Sequence, residues 1–591
     1  MAFSDRIKKY TGENPFSDSQ PRNFSDKKVL SEFYPISNYW SLFNDQHEIL
    51  IGSRGSGKTF LLKMMRYSLL KRVNDERAIR LIKEKKYIAV YIPMHLEFVA
   101  PFNNCSLSSD EQIVLFQIAF NCFLAEALMT ELRSIIDDIE DKGERIYKQL
   151  KLVTKLYEMW FSEKGDVCDF DMLSEKIQKI YYSMDWSTPN NKDIPPIFKR
   201  QIGASLLAVK DIITNVLEFK EEPTWIVCVD EAEFLNETLQ KCINNVFRSD
   251  SNRLTLKVAT LPFYHTTLET LVPGIVVSNG NDFSYRNVDM TFDGQDFIEL
   301  TNKLCEHRLY ERFDSKMICH SVEDFVGSVG KDDAIAYYRY EIGDCEATSQ
   351  EEIKKKIIED FPPKRRKNAP NYSNDRKSIY DKYAPIFFLR EMYKLSCEGN
   401  HKPGWYAGAK TVRRVSQGNP RMFIQVMGAL FDVARNKKLT PKVQHEVILK
   451  FAESICKATK ALEVEGPLAY KNITTIANTI KKKVHGEYLL SQGYTFKIKY
   501  KSDEDFEENL KWIQLAIAYS RLVVDEDTKK NGISIETTFN LSNAFAIAYW
   551  IPMRNDAPTL INLEKEDNSY KVSAPKNVEY HQLSLFEENI Q

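Results

Sequence analysis

The chain lacks the features that mark a secreted or membrane-embedded protein. No apolar run reads as long enough to cross a bilayer, and Met1–Arg6 shows no apolar signal core, so the expectation is a cytoplasmic chain without a membrane partner. Cysteine is sparse, ten in 591 residues. Cys105, Cys122, Cys228, Cys242 and Cys456 fall in apolar or helical contexts, where small buried thiols are expected rather than a disulfide framework. Standard zinc spacing is missing as well: Cys305, His307, Cys319 and His320 fit no known template and read as ordinary helix residues. An excess of either charge is absent, with 81 Lys and Arg against 83 Asp and Glu. That balance excludes a uniformly basic nucleic-acid coat and leaves local basic faces open. The length is too great for one hydrophobic core and sets a prior of about three to four domains.

What is present is a complete phosphate-binding loop. Gly52-Ser53-Arg54-Gly55-Ser56-Gly57-Lys58-Thr59 follows the apolar run Glu48–Ile51. Its glycines let successive backbone N–H groups curl around phosphates, Lys58 has the reach for the β- and γ-phosphates, and the Thr59 hydroxyl suits Mg²⁺. A helix is expected from Lys58 to about Leu70, adding its positive end to the site.

Further strands are expected at about Tyr87–Pro93, Trp225–Val229, Leu256–Thr260 and near Phe283–Met290. Between the second and third, helical periodicity at about Ser109–Ile139, 143–162, 170–185 and 197–219 reads as an insertion. Trp225–Val229 runs into Asp230-Glu231. Carboxylates at the C-terminal edge of a parallel strand lie beside the phosphate loop, so Asp230 is the candidate for the Mg²⁺ shell and Glu231 for polarising an attacking water. Thr260 ends the next strand and is a candidate sensor of the γ-phosphate or of the attacking water. Arg248, Arg253 and Arg286 are candidates for an arginine finger toward a neighbouring subunit, with a surface or ion-paired arginine as the alternative for each.

Taken in order, the loop, Asp230-Glu231, Thr260 and Ser416-Gln417-Gly418-Asn419-Pro420-Arg421 resemble the origin-recognition-complex-like branch of the AAA+ ATPases, over roughly residues 35–590. Bacterial members of that branch occur in mobile-element and antiphage-defence contexts. The resemblance implies an α/β fold: a P-loop AAA+ parallel sheet core with a large helical insertion, a helical lid and a C-terminal winged-helix-like domain. It also implies ATP and Mg²⁺ as cofactors, and makes Arg421, at the first turn of a lid helix, a second sensor of the γ-phosphate; a structural arginine is the other reading. The expected boundaries are a strap at 1–34, the ATPase core at 35–300 with its insertion at about 100–220, the lid at 301–437, the winged-helix-like domain at 438–565 and a tail at 566–591. Two departures stand out. The insertion is longer than a minimal core needs, and no arginine finger can be singled out.

Residues 351–377 hold Lys354-Lys355-Lys356, Lys364-Arg365-Arg366-Lys367 and Arg376-Lys377, a basic stretch suited to phosphate contact or to plain solvation. Asn531-Gly532 favours a tight hairpin turn, so 522–539 reads as a wing. Lys481–Lys483, Lys497, Lys499, Lys501, Lys529 and Lys530 are then candidates to face DNA, although such modules also dock proteins. In the tail, Gln582-Leu583-Ser584-Leu585-Phe586 resembles the short peptide by which bacterial replication and repair proteins dock on the DNA sliding clamp; a tail folded back on its own domain is the alternative.

The leading expectation is an ATPase that couples ATP binding and hydrolysis to conformational or assembly changes on DNA, in replication sensing or phage defence. The alternatives are a switch that recruits or restrains a separate effector protein, and a scaffold that binds ATP and barely hydrolyses it. The number of subunits, including a homo-oligomer, stays open.

Overall fold

The structure is a computed structural model describing residues 7, 10, 12–18, 25–84, 86–103, 107–184, 193–249, 254–310, 319–328, 350–364, 376–397 and 404–563. The chain forms two compact units: Met1–Phe325 with Val412–Arg435 and Asn509–Ser534, and Val326–Thr411 with Asn436–Glu508 and Ile535–Gln591.

The first unit is built on a parallel five-stranded sheet. Its strands are β1 (Glu48–Ile51), β2 (Tyr87–Pro93), β3 (Thr224–Asp230), β4 (Leu254–Thr260) and β5 (Ser284–Asn287), in the spatial order β2-β3-β4-β1-β5. The central strands read as continuous apolar runs because both faces are covered. Alternate residues divide between them: Ile49, Ile88, Val90, Trp225, Val227 and Val258 face one core, whereas Leu50, Ala89, Ile226, Cys228 and Ala259 face the other. The first core is filled by the insertion, whose main helices are Ser109–Asp137, Lys142–Phe161 and Phe170–Tyr182. The second is filled by Leu61, Leu62, Met64 and Met65, just after the phosphate loop.

One buried carboxylate ties neighbouring strands together. Glu48 on β1 accepts from Lys257 Nζ on β4 at 2.8 Å and from Arg286 Nε on β5. Lys257 spends its other two protons on Asn44 Oδ1 and Gln46 O, so all three donors are satisfied.

Several expected elements change on folding. The helix after the loop stops at Met64 and restarts over Tyr67–Leu70, because buried Glu131 of the insertion accepts from Ser68 N at 2.8 Å and from Ser68 Oγ. The 197–219 pattern breaks into Pro196–Lys199, Ala204–Leu207 and Lys210–Val216. There the Asn121 amide takes the carbonyls of Phe198, Arg200 and Gln201, and Gly203 turns at φ +94°. The Ser109–Asp137 helix corrects the expectation about apolar length. It is long and apolar enough to cross a membrane, but 61% of its most apolar window is buried. Its start is fixed by reciprocal bonds between Ser108 and Glu111.

The lid-type helix Pro420–Ala434 also belongs to the first unit. Phe16 of the N-terminal segment is buried against Phe431, and Asn14 donates to the carbonyl of Gly428. Asn531-Gly532 does not form a hairpin turn. Asp525 caps a short helix, Glu526–Asn531, by accepting from Thr528 N at 2.7 Å, and Gly532 ends it at φ +99°. A strong local helix cap outcompetes the turn preference of the dipeptide. The short strand β7 (Leu522–Val523) precedes it.

In the second unit, β6 (Thr495–Ile498) pairs antiparallel with β8 (Phe539–Leu541) and parallel with β9 (Thr559–Ile561). The helices Arg376–Cys397, Pro441–Ala458 and Gly466–Val484 lie in the same unit, where Tyr406, His445 and Trp550 form an aromatic cluster.

Gly418, just before the lid helix, has φ +72°, and a Cβ there would lie 1.8 Å from the carbonyl oxygen of Met290. Gly418→Ala is therefore expected to destabilise the first unit by roughly 3 kcal/mol or more. Urea unfolding that matches wild type would contradict this packing.

Candidate functional site

The phosphate loop occupies the turn from β1 into the helix Lys58–Met64. Gly55 and Gly57 have φ of +93° and +99°, the conformation in which backbone N–H groups form an anion-binding concavity. Space adds a second demand for glycine. A Cβ on Gly55 would meet Asn419 Oδ1 at 2.7 Å, and one on Gly52 would meet Val288 at 2.6 Å. Lys58 is buried and donates to Gly52 O at 2.7 Å and Ser53 O at 3.2 Å. Burial pushes its pKa down, with Glu233, Asp289 and Asp230 as opposing negative charges.

Parallel pairing of β2 with β3 sets Pro93 beside Asp230 and carries both strand ends to the same edge. Asp230 is buried; its carboxylate accepts from the Tyr91 hydroxyl at 2.8 Å and from Thr59. Burial raises its pKa, and those two hydrogen bonds oppose the rise. Glu231 sits at φ +58°, a left-handed conformation costly for a non-glycine residue. His95 Nδ1 lies 2.7 Å from Glu231 Oε2, and that hydrogen bond pushes the imidazole pKa up.

A single cleft is lined by the loop from Arg54 to Leu61, by Asp230, Glu231 and Glu233, and by Pro420, Arg421 and Ile424 of the lid helix. Its apolar side comes from Phe33, Tyr34 and Ile36, facing Leu300 and Leu304. Asn419 joins loop to lid: its Oδ1 accepts from Arg421 N and Met422 N, capping the helix, and its Nδ2 donates to Arg54 O at 2.9 Å. The positive charge of Arg421 is among the influences that lower the Lys58 pKa.

The fold thus brings Gly52–Thr59, Asp230, Glu231 and Arg421 to one place. Thr260 ends β4 beside Ile51, with its hydroxyl buried and without a hydrogen-bond partner among the described residues. Two finger candidates are committed within the chain, Arg286 to Glu48 and Arg248 to Asp282 at 2.6 Å. Arg253, Arg365–Lys367 and the tail peptide lie outside the described residues. Lys529 does not extend from a wing; it is largely buried and paired with Asp289 at 2.6 Å. Lys497 pairs with Glu536 at 2.8 Å. Cys305 and Cys319 are buried against each other, and no group of three or more His, Cys, Asp or Glu suited to a metal occurs among the described residues.

Sequence reasoning missed His95, Glu233 and Asp289. Only Glu233 carried a local signal, two residues beyond Glu231. The other two meet the site through strand pairing, which a linear reading does not reveal.

A parallel sheet with a phosphate-type loop after one strand, an acidic pair after another and a helix closing over both defines a P-loop nucleotide-binding α/β protein. The chain matches the ORC-CDC6-like family over residues 14–561 and belongs to it. That places it in the AAA+ ATPase superfamily and implies ATP binding and an ATPase-type function. No curated protein matches the chain.

Glu233 is half-buried in this cleft, its Oε2 inaccessible and unpartnered among the described residues, and desolvation pushes its pKa from an ordinary 4.5 to about 7. Between those values the folded nucleotide-free protein holds a proton that the unfolded chain has released, so stability falls as pH rises through the window. Glu233→Gln should therefore be more stable than wild type at pH 8, by on the order of 2–3 kcal/mol, and close to wild type at pH 4.5. Urea unfolding at both pH values checks this, and an offset independent of pH would contradict it.

Proposed function

We propose that the protein is a Mg²⁺-dependent ATPase that couples nucleotide binding and hydrolysis to conformational or assembly changes on DNA. The supporting observation is the shared cleft, in which the phosphate loop, the acidic end of β3 and Arg421 of the lid helix face one another. In this reading the loop Gly52–Thr59, through backbone N–H groups other than those of Ser53 and Arg54, and the Lys58 ammonium hold the β- and γ-phosphates. Phe33, Tyr34 and Ile36 cover the base, and Arg421 draws the lid helix onto the γ-phosphate.

Thr59 and Asp230 would hold Mg²⁺. Their adjacent oxygens suit a hard cation, and Mg²⁺ commonly takes one or two protein oxygens with the phosphates as co-ligands. Mg²⁺ supplies charge neutralisation at the transferred phosphoryl group. Glu231 orients and polarises the attacking water, and His95 holds that carboxylate when no nucleotide is engaged. Thr260, with its unspent hydroxyl, serves as the sensor on β4.

DNA contact in this reading comes from exposed lysines such as Lys355, Lys356, Lys499 and Lys501, within a second unit of winged-helix type. The peptide Gln582, Leu583, Leu585 and Phe586 would add a sliding clamp, tying the ATPase to replicating DNA or to phage DNA in a defence system. A homo-oligomer would need a finger other than Arg248 or Arg286.

The pairing of Lys529 with Asp289 and of Lys497 with Glu536 favours a second reading. Lysines spent on carboxylates are not available to phosphates, which suits a switch that recruits or restrains an effector protein.

Hydrolysis by wild type and Glu231→Gln, with and without duplex DNA at two salt concentrations, separates these readings. Turnover stimulated by DNA, weakened by salt and reduced at least about 100-fold in the variant is expected. Turnover that depends on Glu231 and ignores DNA would favour the effector switch. Equal turnover in both proteins would remove Glu231 from catalysis.

A further inference from the structure

The phosphate loop is held partly from a distant stretch of sequence. Asp289, just beyond β5, is half-buried against the first residues of the loop, its side chain 18% exposed. Its Oδ1 accepts from Ser53 N at 2.8 Å and from Ser53 Oγ at 2.9 Å. Its Oδ2 accepts from Lys529 Nζ at 2.6 Å, and the lysine side chain is itself only 11% exposed. Burial alone would push the Asp289 pKa up, yet Lys529 and the Ser53 N–H hold it below the ordinary carboxylate value.

Three further bonds join the same partners. Arg54 N donates to Ala518 O at 2.8 Å, where the helix Asp503–Ala518 ends. The Arg54 guanidinium donates to the Tyr519 hydroxyl at 2.5 Å and lies over its ring. Asn287 Nδ2 donates to Glu526 Oε1 at 2.9 Å. The segment Asn509–Ser534 thus grips the loop at consecutive residues, Ser53 through Asp289 and Arg54 directly. In sequence it is continuous at both ends with segments of the second unit.

We propose that Asp289 is a positioning residue for the phosphate loop and that Lys529 is its required counter-ion, so that nucleotide occupancy and docking of residues 518–531 are thermodynamically linked. This rests on the reading of the loop as a nucleotide site. Without Lys529, a half-buried carboxylate would stand unneutralised behind the loop that receives a triphosphate, repelling its charge and releasing Ser53 from its orientation. With Lys529 docked, the carboxylate is neutralised and the Ser53 amide is fixed. Linkage is reciprocal: if docking strengthens nucleotide binding, nucleotide strengthens docking by the same factor.

The test uses the full chain, with equilibrium binding of a fluorescent ATP analogue plus Mg²⁺, and amide hydrogen exchange over 518–531 with and without ATPγS. Lys529→Met should weaken binding at least about tenfold, while Lys529→Arg stays within about threefold of wild type. Asp289→Asn combined with Lys529→Met should bind more tightly than Lys529→Met alone, because the unneutralised charge is gone. In wild type, nucleotide should slow exchange over 518–531, and in Lys529→Met it should not. If wild type binds nucleotide but exchange over 518–531 is indifferent to it, the linkage is wrong, even where Lys529→Met fails to fold. Binding by Lys529→Met within twofold of wild type would overturn the counter-ion role. Wild type that binds no nucleotide at all would instead refute the ATPase reading.

Discussion

A loop of backbone that receives an anion can be held only in part by its own side chains. The N–H groups meant for the anion must stay unpaired, and glycine, which permits the curl, supplies nothing to pack. Beyond the Lys58 ammonium on Gly52 O and Ser53 O, the restraints come from outside. Here the restraints on Gly52–Thr59 arrive from far apart in sequence: β1 and β5 on one side, Asn419 from the lid helix, Ala518 and Tyr519 from the C-terminal half, and Asp289 with its partner Lys529. The loop stays in place because other elements are built to meet it, and those elements carry much of the organisation of the first unit.

The sheet answers the same demand. Its central strands are covered on both faces, which fixes where their ends emerge and delivers Asp230 and Glu231 to the loop. The large insertion supplies one whole face of that cover. It also reaches back through Glu131 to stop the loop helix at Met64, so its size has a structural use beyond any partner it binds. Glu48, shared by Lys257 and Arg286, pins β1 between β4 and β5 just upstream of the loop. The arginine that looked free to reach a neighbour is thereby committed to holding this strand.

The sequence made the chemistry legible and left the contacts hidden. The strands were readable because buried parallel strands are nearly continuous apolar runs, and the loop because its requirements are local. The entry to the lid helix was readable from Gly418 and Pro420, a turn residue and a helix-starting proline, whereas the Asn419 cap emerged only on folding. Contacts made across the fold were not. Ser68 meets Glu131, His95 meets Glu231 and Asp289 meets Lys529, each through partners whose separation in sequence carries no periodic signal. Asn531-Gly532 misled for a related reason: the dipeptide suits a hairpin, but Asp525 caps a helix that the same glycine can end.

The central claim is that this cleft binds MgATP through the phosphate loop, and thermal unfolding of the purified chain tests it most directly. A ligand that binds only the folded state stabilises it by RT ln(1 + [L]/Kd), about 4 kcal/mol at a thousandfold excess over Kd. The account predicts that MgATP raises the unfolding midpoint of wild type in a concentration-dependent way and leaves Lys58→Ala unmoved. No shift in wild type at millimolar MgATP, or an equal shift in Lys58→Ala, would contradict it.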